Sequence, residues 1–283
     1  METAVLKLHC PDRGGLVARV SGFVFEHGGN IIASHQHIEQ LGDRLFMRVH
    51  FSLPELDAGR PKLEADFAEI ARELEMVYEF TYSTTRKRMA IMVSKYDHCL
   101  HDLFFRHQYG ELGADIPLVV SNHPDLREIS ERFDAEFQHI PVSKETKAES
   151  EIRTLSLFDD YDIDFVVLAR YMQILTPRFL KAYPNRIINI HHGFLPAFKG
   201  ARPYHQAYEK GVKIIGATSH YATEDLDMGP IIAQETVHVD HSHSAEDMLR
   251  LGRDVEKQVL ARAVKAHIED KIMVYNNRTI VFD

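Results

Sequence analysis

The chain has 283 residues, is 45% hydrophobic and carries a formal net charge of −9; at ~100–200 residues per domain this is enough for two cores. Acidic and basic residues are mixed along its length without a basic stripe, which argues against a nucleic-acid partner. Two distant cysteines, Cys10 and Cys99, exclude a disulfide framework, and no apolar run is long enough to span a bilayer, so a reducing, cytoplasmic setting without membrane contact is expected.

The first elements follow a mixed rhythm. Ala4–His9 reads as a strand, and Leu16–His27 as an amphipathic helix with Leu16, Val17, Val20, Phe23 and Val24 on one face. Gly28-Gly29 then ends the helix. Asn30–Glu39 and Leu45–Ser52 alternate as strands around a Gly42-Asp43 turn. Lys62–Leu74 is a second helix and Val77–Tyr82 a last strand. This β-α-β-β-α-β order is the ferredoxin-like arrangement. The polar, basic segment 83–88 is the expected linker between a domain at 1–82 and one at 89–283.

Strict alternation follows. Met89–Val93 is a strand, His98–Tyr109 a helix, Ile116–Ser121 a strand, Pro124–Phe133 a helix and Phe137–Ile140 a short strand. Lys147–Phe158 is a helix and Phe165–Leu168 an apolar strand. The pattern continues through Arg186–Ile190, Tyr204–Lys210, Lys213–Ser219 and Ile231–Val237 to a long helix, Ala245–Ile268. Ile272–Tyr275 and Thr279–Phe282 flank Asn276-Asn277 as a hairpin. Alternating strands and helices predict a mostly parallel, Rossmann-like α/β sheet covered on both faces.

The chemistry is concentrated in two stretches. Ile188–Gly200 begins as a buried strand, so Asn189 and His191 share one face while Ile190 points away. Open α/β sheets bind ligands beyond the carboxyl ends of their strands. The second stretch, Ile215–Ile231, ends a strand near His220 and continues into a loop carrying Glu224, Asp225 and Asp227 before Gly229-Pro230. Asn is a donor to a developing oxyanion, His handles charge near neutrality, and Asp orients water or shuttles a proton. In isolation, an Asn or His at a strand end is more often a structural polar group.

Together the two stretches closely resemble the catalytic signature of the folate-dependent formyltransferase family. The resemblance runs from about Met89 to Asp283. It implies that Asn189, His191 and Asp227 are catalytic and that His220 stands just ahead of a folate-contacting loop that includes Glu224 and Asp225. Leu168-Ala-Arg-Tyr-Met-Gln-Ile-Leu175 looks like the segment whose backbone and Met hold the pterin, which brings in Arg170, Tyr171 and Met172. Arg170 and Lys199 are expected contacts for the carboxylates of a folate glutamate tail. Gly193 stands where the pattern expects a small hydroxyl residue.

The transferase members of the family cradle a phosphate in a glycine-rich loop after the first strand of this domain. Here Ser94-Lys-Tyr-Asp-His-Cys-Leu-His-Asp-Leu103 contains no glycine, which argues against a phosphorylated amine acceptor. This stretch, His192 and Lys199–Gln206 are similar to the deformylase branch. Cys10-Pro-Asp-Arg-Gly-Gly-Leu-Val with Gly28-Gly-Asn-Ile31 resembles an ACT domain, a module that often binds amino acids and pairs across subunits. The resemblance thus implies hydrolysis of 10-formyltetrahydrofolate to tetrahydrofolate and formate by a homo-oligomer, without metal or redox cofactor. The rival readings are formyl transfer to a non-phosphorylated amine, and a non-catalytic folate or amino-acid sensor. His238, His241 and His243 near Asp240 read as a solvated loop rather than a metal site. His98, Cys99 and His101 read as loop lining rather than a Cys–His nucleophile.

Overall fold

In β1 (Thr3–Pro11) every second residue is buried, so Ala4, Leu6, Leu8 and Cys10 face the core. Against that face packs α1 (Leu16–Glu26), through Leu16, Val20, Phe23 and Val24. The computed structural model describes residues 2–39, 42–53, 56–197 and 203–282. β2 (Asn30–Glu39), β3 (Arg44–Ser52), α2 (Leu56–Glu73) and β4 (Val77–Tyr82) complete a four-stranded antiparallel sheet of order β2-β3-β1-β4. The observed βαββαβ order matches the sequence expectation. Helix α2 starts at Leu56, not Lys62, and keeps Pro61 inside it. A proline near a helix start forfeits one backbone bond, and the Leu63, Phe67, Ile70 and Ala71 stripe holds the rest.

The chain divides into compact units between Arg86 and Lys87. Lys87 and Arg88, expected in the linker, already pair with Ala114 and Asp115 as strand. Their charged ends find carbonyls: Lys87 Nζ donates to His267 O and Ile268 O, and Arg88 Nε to Tyr161 O. Polar side chains at a strand start look like linker in sequence, but satisfied ends allow them to be strand.

The second unit runs β5 (Lys87–Val93), α3 (His98–Gln108), β6 (Ala114–Ser121), α4 (Arg127–Arg132), β7 (Glu136–His139), α5 (Lys147–Asp160) and β8 (Phe165–Leu168). It continues with α6 (Pro177–Ala182), β9 (Ile187–His191), α7 (Pro203–Glu209), β10 (Ile214–Tyr221), β11 (Ile231–His238) and α8 (Ala245–Ile268). The sheet order is β11-β10-β9-β8-β5-β6-β7. The β9-β8-β5-β6-β7 part is parallel; β10 and β11 are antiparallel additions. This is a mixed α/β unit with a mostly parallel central sheet. From β5 the chain winds one way to β6 and β7, then returns to place β8 on the other side of β5. The loops after β5 and β8 therefore diverge, which opens a crevice at the topological switch point.

Helix α6 carries too little periodicity to be expected. Its start is nevertheless encoded: Thr176 Oγ1 accepts from Phe179 N and Pro177 holds the first turn. The terminal hairpin, β12 (Ile272–Tyr275) and β13 (Arg278–Val281), turns on Asn276 and Asn277 at φ 47° and 57°, as expected from its Asn-Asn pair. Residues 270–273 and 280–283 nevertheless group with the N-terminal unit, not with 89–269. Polar anchors account for this: Arg48 Nε donates to Asp270 O at 2.9 Å, and Lys7 Nζ lies 3.4 Å from Asp270 Oδ1. Among the described residues, no helix is long and apolar enough to cross a membrane.

Candidate active site

Three strand ends meet at the switch-point crevice. After β5, Ser94 Oγ donates to Asn122 Oδ1 at 2.7 Å and accepts from Met172 N at 2.9 Å, tying the loops after β5, β6 and β8 together. At the end of β9, Asn189 and His191 lie on one face, as strand alternation requires, with His191 95% buried. Across the antiparallel β9–β10 pair, Asn189 stands opposite His220. Asn189 Nδ2 is 3.1 Å from His220 Nε2, and His220 Nδ1 is 2.9 Å from Tyr221 O. A carbonyl only accepts, so Nδ1 carries the proton, and the Nε2 of the neutral ring accepts from Asn189. One amide hydrogen of Asn189 stays available for another acceptor.

The loop after β10 folds back onto this face. Tyr221 N donates to Pro230 O, and a Cβ on Gly229 would overlap the Tyr221 carbonyl oxygen, so only glycine permits the return. Asp227, at φ 56°, is carried to 3.2 Å from His191 Nδ1 and 3.7 Å from His220 Nε2. Burial by itself would raise this carboxyl. The hydrogen bond from His191 Nδ1 outweighs burial and holds it well below the usual carboxylate range. The Nε2 of His191 is buried and has no hydrogen-bond partner. An orphaned buried imidazole nitrogen is costly, and its residue lines the same cavity as Asn189 and Asp227.

Asn189, His191 and Asp227 line one cavity of about 290 Å³. Its apolar wall includes Ile174 and Leu175 from the expected pterin-holding segment, and Leu180 and Ala222, which no sequence motif singles out. Of the expected binding residues, Arg170, Tyr171, Met172, His220 and Glu224 line it too. Burial, with the charge of Glu151, raises the Tyr171 phenol to about 12. Glu224 is exposed at the rim, 3.2 Å from Lys181 Nζ. Asp225 departs from expectation: it is exposed, does not line the cavity, and its carbonyl closes the turn by accepting from Thr223 Oγ1 and Met228 N. Lys199 lies outside the described residues. At Gly193, where a hydroxyl was expected, Thr218 does the holding: its Oγ1 donates to Gly193 O and accepts from Leu195 N.

A second carboxylate, Glu256 on α8, is only 1% exposed. It accepts from His98 Nε2 and Tyr204 OH, each at 2.8 Å, and stands 3.5 Å from Arg170 Nε. Gly252, one turn earlier, leaves room for the Tyr204 ring. The sequence did carry a signal here, a glutamate in register with the apolar stripe Met248, Val255 and Val259. His98, Cys99 and Glu256 also form the one three-residue cluster with metal-ligand spacing among the described residues. Both carboxylate oxygens already have donors, and burial pushes the Cys99 thiol far up, so the cluster is a poor cation site and no thiolate nucleophile. His238, His241 and His243 form no such cluster; His243 Nδ1 pairs with Asp240 at 2.9 Å in an exposed loop.

Residues 87–264 match the family model described as formyl transferase. A formyltetrahydrofolate deformylase of Bacillus subtilis (strain 168) is 51% identical over 279 residues, 98% of this chain and 93% of that protein. The crystal structure of a formyltetrahydrofolate deformylase from Pseudomonas syringae pv. tomato superposes with a TM-score of 0.95 at 47% identity, covering 100% of this chain and 95% of its own. A glycinamide ribonucleotide transformylase of Symbiobacterium toebii matches less: TM-score 0.66, 28% identity, 70% of this chain and 95% of its own. Likeness to the deformylases thus extends through the N-terminal unit, while likeness to this transformylase stops short of the full chain.

Proposed function

This chain belongs to the formyl transferase family, and we propose that it hydrolyses 10-formyltetrahydrofolate to tetrahydrofolate and formate, with water as the formyl acceptor. The observation that carries this reading is the arrangement at His191: Nδ1 beside Asp227, Nε2 buried and unpartnered, and Asn189 next to it on the same strand face. A tetrahedral oxyanion supplies the missing acceptor. The ionised Asp227 balances the charge of a doubly protonated His191, whose Nε2–H donates to that oxyanion together with the free amide hydrogen of Asn189.

A water beside Asp227 attacks the formyl carbon, forming the new C–O bond. As the C–N bond breaks, N10 takes up a proton from that water, relayed by Asp227 or by a second water it holds. The pterin lies along the apolar wall with Tyr171, Met172, His220 and Glu224 around it. Side chains supply everything this sequence requires, so we propose that neither a metal nor a redox cofactor takes part, and that a chelator leaves turnover unchanged.

We further propose that the βαββαβ unit is an ACT-like regulatory domain that takes an amino-acid effector and pairs with a second copy. Support comes from its Cys10–Val17 and Gly28–Ile31 motifs and from edge strand β2, which leaves Ile32 and Ile38 about half exposed on an unpaired edge. The buried free thiols Cys10 and Cys99 suit a reducing cytoplasm.

The test is formate release from 10-formyltetrahydrofolate by the purified protein with no added amine. Release that depends on Asp227 is expected. Folate binding without release would overturn hydrolysis and turn attention to amine acceptors.

A further inference from the structure

A second cavity, of about 390 Å³, adjoins the first and shares Arg170, Met172 and His192 with it. Arg170 stands between the two. Its backbone is left-handed at φ 64°, a conformation that non-glycine residues hold only where the surroundings enforce it. Its guanidinium is buried under the Tyr96 ring, 4.9 Å from the centroid. Its Nε and Nη1 have no hydrogen-bond partner, although Glu256 Oε2 is 3.5 Å from Nε. Glu256, which also accepts from His98 and Tyr204, balances the charge of Arg170 from one side but leaves these two donors without a close hydrogen bond. A strained, buried cation with idle donors is costly unless an anion completes it.

The surrounding charges agree. Arg253, exposed on α8, contributes a second cation to the cavity, and Glu256 is the one acid lining it. Burial and the nearby Arg170 charge pull His192 down to about 3, so at neutral pH its ring is neutral and offers one donor. The cavity therefore holds one positive charge beyond what Glu256 balances.

We propose that this second cavity is a small-carboxylate site that receives the formate product, with the Arg170 guanidinium as its anchor. The proposal rests on the hydrolysis described above. Attack of water on the formyl group yields formic acid, which loses its proton to become an anion. The anion leaves the Asn189–His191 junction past His192, toward Arg170, and exits by Arg253 while tetrahydrofolate still fills the first cavity.

The test is titration of the full chain, free of folate, with 13C-formate, read by line broadening. Wild type should bind formate in the millimolar range. Arg170→Gly, which removes the cation and relieves the left-handed backbone, should weaken binding about tenfold or more, the scale of a lost charge-assisted hydrogen bond. Arg253→Met should weaken it several-fold, and the same order should appear in product inhibition by formate. Formate binding unaffected by both substitutions, binding abolished by Asn189→Ala alone, or no binding at 100-fold excess over the millimolar range would each overturn the proposal. Turnover is measured on the same preparation. Intact hydrolysis without Arg170-dependent formate binding refutes this inference alone, whereas absent hydrolysis refutes the reading on which it rests.

Discussion

Two carboxylates in the C-terminal unit, Glu256 buried and Asp227 half-buried, are built from the same materials and do different work. Asp227 and Glu256 both lie beside histidines, and in both burial pushes the carboxyl up while hydrogen bonds from those histidines reverse the shift. The difference lies in what is left over. Around Glu256 each oxygen has its own donor, His98 on α3 and Tyr204 on α7, and Arg170 after β8 balances the charge. Around Asp227 the account stays open: His191 Nε2 has no partner. A satisfied network holds a fold, and an unsatisfied one waits for a ligand.

The comparison breaks most sharply at Asp227. Asp227→Asn should lower kcat by roughly 1,000-fold or more, as loss of a charge-balancing acid in an acid–base pair does, with folate binding retained; a loss under tenfold would mean that Asp227 is only structural. Asn189→Ala removes one oxyanion donor and should cost ~100–1,000-fold in kcat with a small change in KM. Circular dichroism checks that its β9–β10 pairing survives. Glu256→Gln should show the opposite profile. Removing one charge of a buried pair costs roughly 3–5 kcal/mol of stability, seen as a drop in melting temperature, while kcat of the protein that remains folded falls less than for either site variant.

The smallest effect concerns pH. The folded His192 is depressed from 6.5 to about 3. The stability it contributes is therefore complete above pH 6.5 and is lost progressively as pH falls towards 3, because the unfolded chain binds the proton first. His192→Gln should flatten the fall of the urea midpoint across that window. An unchanged slope would show that His192 is not held neutral by its surroundings. Asp227 is also depressed, but its contribution disappears only below the ordinary carboxylate range, so the two windows separate.

Much of this was legible. Asn189 and His191 share a face because strand alternation is local, and the long helix Ala245–Ile268 was readable end to end because ten buried residues mark its stripe and Ser244 with Asp247 caps it. Less legible was the fate of individual polar residues. Asp225 sits two positions from Asp227 in the same loop, yet it turns outward and its backbone closes the turn. Arg170 read as a contact for ligand carboxylates, but nothing in its local sequence showed that it would be buried beneath Tyr96. No role was read for Ser94 or Asn122 themselves, and they matter because the sheet order sets β5 beside β6 and β8.

By itself the sequence determined the two-unit βαββαβ and alternating α/β pattern, the strand end carrying Asn189 and His191, and the acidic loop that follows β10. These depend on periodicity, turn chemistry and motif, which act over a few residues. Tertiary structure alone decided that Gly229 lets this loop fold back onto β9, that Asp227 and not Asp225 meets the histidines, and that Arg170 and Glu256 meet in the lining of a second cavity. Those outcomes depend on which strands are neighbours and how much room remains between them, and neither is written in any local stretch of chain.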